Sequence, residues 1–358
     1  MPRAHSRRAV LGALTAALGT AAVSALTSCT TAGGASAAAQ SPPEPLAGAG
    51  NGTGQGGTAA QVAATATPSP SPSPERTVAA ATGPVAVPQT PGRVVVLGAA
   101  ELDSALTLGL TPVGAARAML DSGLPDYFPV GWLDPVTDVG PIGAPDLTAV
   151  ARLRPDLILG NRTDDDSHYT DLAAIAPTVL TATTGASWKQ DFQLHAQALN
   201  RQSFADAVTG AYQDHVRQFV SVLGGSDQTK KQKIGLLRFV EDTDPQAYAA
   251  QNFLGALLAE AQLGRPAAEN AAAPDVAVPT PADLHIADGT ALFWSTYGDP
   301  AKAQTQTFTS SSQWQQLGAV KGHRAFEVDD ELWFVGIGYF AANLILAQLQ
   351  RLLGFPGA

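Results

Sequence analysis

Two hydrophobic periods alternate along the chain from about residue 90 onward. Arg93-Val-Val-Val-Leu97 is apolar on both faces and predicts a buried strand, and Ala100–Leu108 continues with helical spacing. Thr111–Ala115 predicts a second strand, followed by a Pro/Gly-rich loop carrying Tyr127, Phe128 and Trp132. Leu147–Leu153 reads as a short helix that stops at Arg154-Pro155, because the residue before a proline is pushed out of the helical region. Asp156–Gly160 is a buried strand, Tyr169–Ala176 a helix and Pro177–Leu180 a strand. From Asp191 to Leu223 there is no Pro and a single Gly, with apolar residues at Leu194, Ala198, Phe204, Val208, Ala211, Tyr212, Val216 and Phe219. That 3.6-residue period predicts one helix roughly 45–50 Å long. A second set follows: strand Lys233–Phe239, helix Asn252–Gln262, strand Ala291–Trp294, helix Ser312–Leu317, strand Arg324–Val328 and a closing helix Gly338–Leu353.

Strands that alternate with helices over short links imply parallel sheets covered on both faces. The expected fold class is α/β, with two Rossmann-like lobes joined by one long backbone helix. The expected boundaries are 90–190 for the N-terminal lobe, 191–224 for the helix and 225–358 for the C-terminal lobe. Two sheet domains joined in this way point to a ligand cleft between them.

The first third breaks the pattern. No Phe, Trp or Tyr occurs before Tyr127, so that stretch cannot build an ordinary core. Arg7-Arg8 precede an apolar, small-residue stretch from Ala9 to Leu26, the layout of an export signal over 1–28, and the paired arginines suggest the twin-arginine route. Leu26-Thr-Ser-Cys29 looks like a bacterial lipobox, whose cysteine is acylated and becomes the new N-terminus. This accounts for the lone cysteine, which rules out a disulfide framework or a Cys-Cys metal site. Residues 29–89, with Pro68-Ser-Pro-Ser-Pro-Ser-Pro74 and the Gly-rich 48–57, have little to bury and read as a tether reaching roughly 35–40 Å. The expected location is the outer face of the cytoplasmic membrane, through a lipid anchor. The 21 basic and 31 acidic residues of the whole chain become 18 and 31 once Arg3, Arg7 and Arg8 leave with the signal, a balance of -13. A chain so acidic is a poor candidate for nucleic acid, whose binding needs Lys and Arg to displace counterions.

Catalytic patterns are missing. The sequence contains no H-E-x-x-H, G-x-S-x-G or phosphate-loop motif. Gly336-Ile-Gly-Tyr-Phe-Ala341 mimics a dinucleotide fingerprint, but only 17 residues follow it, too few for the second strand and its ribose-binding acid. Asp164-Asp165-Asp166 lacks the alternating spacing of a calcium loop. The histidines after the signal, His168, His195, His215, His285 and His323, fall in five different predicted elements. No enzyme, covalent cofactor or metal site is expected.

What does recur is a cation or an aromatic at the carboxyl end of a strand, the edge that faces the crevice in open α/β sheets. Arg117 follows the second strand, Arg162 the third, and Trp188 the fourth. In the second lobe Arg238 ends its strand, Trp294 and Tyr297 end theirs, and Trp333 precedes the closing helix. Arginine can hold carboxylate, hydroxamate or catecholate oxygens bidentately without losing its charge, and Trp and Tyr offer flat apolar walls. These seven residues are the candidate ligand contacts, Arg238 foremost.

The folded region also resembles a known family. Pro155-Asp-Leu-Ile-Leu159, Leu237-Arg-Phe-Val240 with Asn252-Phe253, Gly264-Arg-Pro266, and Trp314–Lys321 leading to Ala325-Phe-Glu-Val328 are similar to the ferric siderophore and vitamin B12 class of ABC-transporter substrate-binding proteins. The resemblance implies the class III periplasmic-binding-protein fold, a shallow cleft with little closure and a monomer. It further implies capture of a ferric siderophore for iron uptake and docking on an ABC permease. The family's two docking glutamates would fall at Thr148 and near Asp283, leaving Asp146 and Asp283 as the only acids there and permease docking in doubt. Competing readings are a haem-binding protein with Tyr297, Tyr248 or Tyr127 as axial ligand, and an envelope interaction protein with altered or absent docking.

Overall fold

The computed structural model describes residues 74–354; the expected signal, Cys29 and the tether before 74 lie outside them. The first described element corrects the tether boundary. Residues that composition assigns to the tether form an antiparallel hairpin of β1 (Glu75–Ala80) and β2 (Gly83–Pro88). Its two inward valines, Val78 and Val87, are buried in the main core, and Ala81 N–H donates to Leu180 O at 3.0 Å. A strand with one inward side chain leaves almost no periodic signal.

The first lobe is an all-parallel sheet in the order β5-β4-β3-β6-β7. Its strands are β3 (Val94–Val96), β4 (Gly114–Arg117), β5 (Thr137–Pro141), β6 (Leu157–Asn161) and β7 (Thr178–Thr181). All three residues of β3 and all five of β6 are buried, as expected of central parallel strands covered on both faces. Helix α1 (Ala99–Thr107) follows β3, and α2 (Leu147–Arg152) follows β5. The edge strand β5, with a Gly and a Pro in five residues, lies inside what the pattern predicts as loop.

The predicted single long helix is two. Helix α3 (Trp188–Leu199) ends at Asn200, which takes the left-handed conformation at φ 55°, and α4 (Gln202–Val222) starts two residues on. Asparagine is among the few non-glycine residues that tolerate this region, and the Asn200 side-chain amide donates to Gln89 O at 3.0 Å. The spanning helix is therefore α4 alone, 21 residues and about 30 Å.

The second sheet is mixed, in the order β10-β9-β8-β11-β12. Strands β8 (Ile234–Val240), β11 (Ala291–Tyr297) and β12 (Ala325–Glu327) run parallel, while β9 (Gln246–Tyr248) and β10 (Asp275–Ala277) form an antiparallel edge the pattern did not predict. Helix α5 (Phe253–Glu260) starts at Asn252, whose Oδ1 accepts from Gly255 N–H at 2.8 Å. Helix α6 (Tyr339–Leu353) closes the chain.

One core runs through both lobes. Trp188 meets Tyr212, Phe253 and Tyr339 edge-on at centroid distances of 5.5, 5.4 and 4.7 Å, which ties α3, α4, α5 and α6 together. Asp103 of α1 adds a latch. Its carboxylate accepts the backbone N–H groups of Phe340 and Ala341 at 3.1 and 2.9 Å, capping α6 in place of a local side chain. Gly338 takes φ +140° beneath it, and a Cβ there would stand 2.2 Å from the Asp103 Cγ. The glycines of the fingerprint look-alike thus start a helix, and the shared core and latch suit a stiff pair of lobes.

Several buried acids make stability depend on pH. Burial pushes Glu101 up to about 8, with Asp165 and Asp164 adding repulsion, and pushes Asp165 and Glu269 to about 7. Unfolded, all three ionise in the ordinary carboxylate range, so the folded chain binds more protons and loses stability as pH rises through the folded values. His195 runs the other way. Burial holds it down at about 3, so it costs stability only as pH falls below its ordinary 6.5. From pH 6.5 to 8.5 the carboxylates act alone, and the thermal midpoint is expected to fall by about 5 °C or more. Glu101→Gln, which mimics the protonated acid, is expected to flatten that fall in a pH series of melting curves.

Candidate ligand cleft

The carboxyl ends of the parallel strands in the two sheets meet across a cleft, joined by the loops that leave them. Leu120 N–H, in the loop after β4, donates to the hydroxyl of Tyr297 at the end of β11, at 2.7 Å. Asp126 N–H, in the same loop, donates to Glu331 Oε2, just past β12, at 3.0 Å.

Arg238 lies at the centre of the second lobe's wall. Parallel register places it beside Ser295, and both side chains reach Asp330. The guanidinium donates from Nε to Asp330 Oδ1 at 2.9 Å and from Nη2 to Oδ2 at 2.6 Å, and from Nη1 to the Tyr248 hydroxyl at 3.1 Å. Ser295 Oγ donates to Asp330 Oδ1 at 2.6 Å. The guanidinium carbon sits 4.6 Å from the Tyr297 ring centroid and 5.7 Å from that of Phe334, so aromatic rings frame the charge. The arginine and aspartate side chains are only 12% and 10% exposed. Burial opposes the charge of Arg238, but Tyr248 and Asp330 more than offset it and hold its pKa above the ordinary value.

Of the seven sequence-derived candidates, three converge. Arg238 and Tyr297 share one wall, and Arg117, at the carboxyl end of β4, opens the loop whose Leu120 N–H reaches the Tyr297 hydroxyl. Arg117 Nε also donates to Asp138 at 3.0 Å. The other four part company. Arg162 is exposed and paired within its own turn to Asp166 at 2.7 Å. Trp188 is core, as described above. Trp333 is fully buried, stacked on Phe293 at 4.8 Å, with its indole N–H donating to Gln348 at 2.8 Å. Trp294 is half-buried and packs edge-on against Trp314 at 5.6 Å, on the core cluster of the second lobe. An aromatic near a strand end can face the crevice or the layer beneath, and for these three tryptophans the layer beneath won.

Sequence reasoning passed over the acids. Asp121, Asp126, Asp329 and Glu331 line a cavity of about 380 Å³ where the two loops meet. Burial pushes Glu331 up to about 7, with Asp121 and Asp126 adding repulsion, and raises Asp329 and Asp121 above the usual carboxylate range. The run Asp329-Asp330-Glu331 just after a strand is their signal in the sequence, since acids at strand ends face the crevice as cations do.

Asp146 and Asp283 both serve as helix caps. Asp146 Oδ1 accepts from Thr148 and Ala149 N–H at 2.9 and 3.0 Å, and Asp283 Oδ2 accepts from the N–H and hydroxyl of Thr280 at 3.2 and 2.6 Å. They follow β5 and β10, so each begins at the cleft edge of its sheet. Thr148 is exposed.

A triad-like line exists elsewhere. Ser104 Oγ is 2.9 Å from His195 Nδ1, and Glu101 Oε1 is 3.7 Å from Nε2. All three residues are sealed in the core, and the imidazole is far too weak a base at neutral pH to activate a hydroxyl. No cluster of three or more His, Cys, Asp or Glu among the described residues is placed to hold a metal ion.

Residues 94–332 match the family model described as periplasmic binding protein. The chain belongs to this family. Among curated proteins it is 33% identical over 286 residues to the probable siderophore-binding lipoprotein YfiY of Bacillus subtilis strain 168, covering 77% of this chain and 86% of the relative. It is 27% identical over 274 residues to the achromobactin-binding periplasmic protein of Dickeya dadantii strain 3937, covering 75% and 88%. Staphylococcus aureus SirA, solved in complex with staphyloferrin B, superposes with a TM-score of 0.71 at 24% identity, over 78% of this chain and 99% of that one. This agreement shows the class III periplasmic-binding-protein fold. No helix among the described residues is long and apolar enough to cross a membrane.

Proposed function

We infer that this periplasmic binding protein captures a ferric siderophore in the cleft between its lobes and presents it for iron uptake. The observation that carries the reading is the convergence of Arg238, Tyr248 and Tyr297 from one lobe on Arg117 and the Leu120 loop of the other. Aromatic rings framing an ion-paired guanidinium there suit a large iron complex. The relatives named for siderophores support the same ligand class. Iron is cargo here, held by the siderophore's own oxygens, so the protein needs no metal ligands. Haem is the poorer fit. Its axial tyrosine must ionise, whereas burial raises the hydroxyls of Tyr127, Tyr248 and Tyr297, and the donors from Arg238 and Leu120 only partly offset this at the last two.

Export, acylation at Cys29 and anchoring to the outer face of the membrane belong to the same reading, with an ABC permease as partner. Docking would use Asp146 and Asp283, each already capping a helix. The first test is tryptophan quenching of the chain beginning after Cys29, titrated with ferric siderophores, their iron-free forms and haem. Saturable quenching by a ferric complex and none by its iron-free form is expected. Saturation by haem alone, or by nothing, overturns the reading.

A further inference from the structure

We propose that the cleft selects ferric complexes by charge, taking a cationic trihydroxamate complex over anionic carboxylate or catecholate ones, with Asp330 as the residue that sets the preference. The proposal rests on the ferric-siderophore reading above and narrows its substrate class.

The chemistry of the candidates differs in charge before it differs in shape. Three hydroxamates balance ferric iron, so a trihydroxamate with one free ammonium is cationic. Three catecholates leave three negative charges over, and citrate-type complexes carry spare carboxylates. An arginine-lined cleft favours the anionic kinds only if its guanidinium groups are free.

Here they are engaged. The Nε–Nη2 edge of Arg238, the edge that grips a carboxylate bidentately, is filled by Asp330, and Ser295 fixes that carboxylate from its other side. Arg117 is paired to Asp138, and Lys302, beside the end of β11, to Glu241. On the opposite side of the balance stand Asp121, Asp126, Asp329 and Glu331. They line the cavity at the lobe junction, and among the described residues none of the four has a Lys, Arg or His within ion-pair distance. Each of these cations is paired to an acid, and above about pH 7, where Glu331 is ionised, the carboxylates left over carry negative charge into the cavity at the lobe junction. A field of this sign attracts a cationic complex and repels an anionic one, at long range and in the seat.

The test titrates the chain beginning after Cys29 with ferrioxamine B, a trihydroxamate with one free ammonium, with its N-acetylated neutral form, and with ferric citrate. At low ionic strength the cationic complex is expected to bind about tenfold more tightly than the neutral one, and the neutral more tightly than ferric citrate, with the gaps shrinking as salt is added. Asp330→Asn, which keeps an oxygen for Arg238 but removes the charge, is expected to raise affinity for ferric citrate about tenfold. Should that variant fail to fold, Asp329→Asn and Glu331→Gln carry the same test: each is expected to weaken the cationic complex at least threefold and leave the neutral one unchanged. Ferric citrate bound more tightly than ferrioxamine B, or equal affinity for all three complexes, overturns charge selection and leaves siderophore capture standing. Saturation by none of the three, nor by any other ferric siderophore, overturns siderophore capture and this proposal with it.

Discussion

Trp333→Ala is expected to destabilise the protein by about 3–5 kcal/mol, enough to threaten the fold, without removing any ligand contact. Trp333 has no exposed surface. It stacks on Phe293 of β11 at 4.8 Å with ring planes 16° apart, and its N–H donates to Gln348 of α6 at 2.8 Å. Truncation would open a cavity between the second sheet and the closing helix, and would strand the Gln348 oxygen. Trp333→Phe keeps the stack and loses the hydrogen bond, so its expected cost is about 1 kcal/mol. The two variants separate a structural tryptophan from a ligand wall. Denaturant melts should show the large loss for Ala and the small one for Phe. Titration with the ferric complex should then give Trp333→Phe the wild-type affinity within about twofold. A folded Trp333→Phe that no longer binds would return Trp333 to the cleft and sink the assignment.

That outcome bears on what a sequence of this kind discloses. The central strands were legible because parallel strands buried on both faces leave continuous apolar runs, as in Val94–Val96 and Leu157–Leu159. The edge strands were not: β5 and β10 contain Gly, Pro or Asp and look like turns, and β9, Gln246-Ala-Tyr248, is too short to show a period. Asn200 broke a helix whose periodicity ran on undisturbed, because the break needs only one polar residue able to turn left-handed. The hairpin at 75–88 was hidden by its composition. In the cleft, the strand-end rule found Arg238, Tyr297 and Arg117. It does not tell which way an aromatic points, so it puts Trp188, Trp294 and Trp333 on the walls when they pack into the layers beneath. It also overlooked the acids that decide the local charge, Asp330 above all.

Removing the charge of Arg238 cleanly takes two substitutions. Arg238→Met alone is expected to cost about 3–5 kcal/mol, since it strands the Asp330 carboxylate, 10% exposed, with only Ser295 to satisfy it. Loss of ligand binding in that variant would then say little about contact. Arg238→Met combined with Asp330→Leu removes both charges, and a buried pair replaced by apolar side chains of similar size is often near neutral in stability. The double variant should therefore recover most of the lost stability while Tyr248 and Ser295 give up one hydrogen bond each, at about 1 kcal/mol apiece. Ligand affinity should not recover with it. A variant that melts near the wild-type temperature and fails to bind the ferric complex places the Arg238–Asp330 pair in the recognition surface. One that melts normally and binds normally makes the pair a strut of the second lobe and moves recognition to Arg117 and the aromatic rings around it.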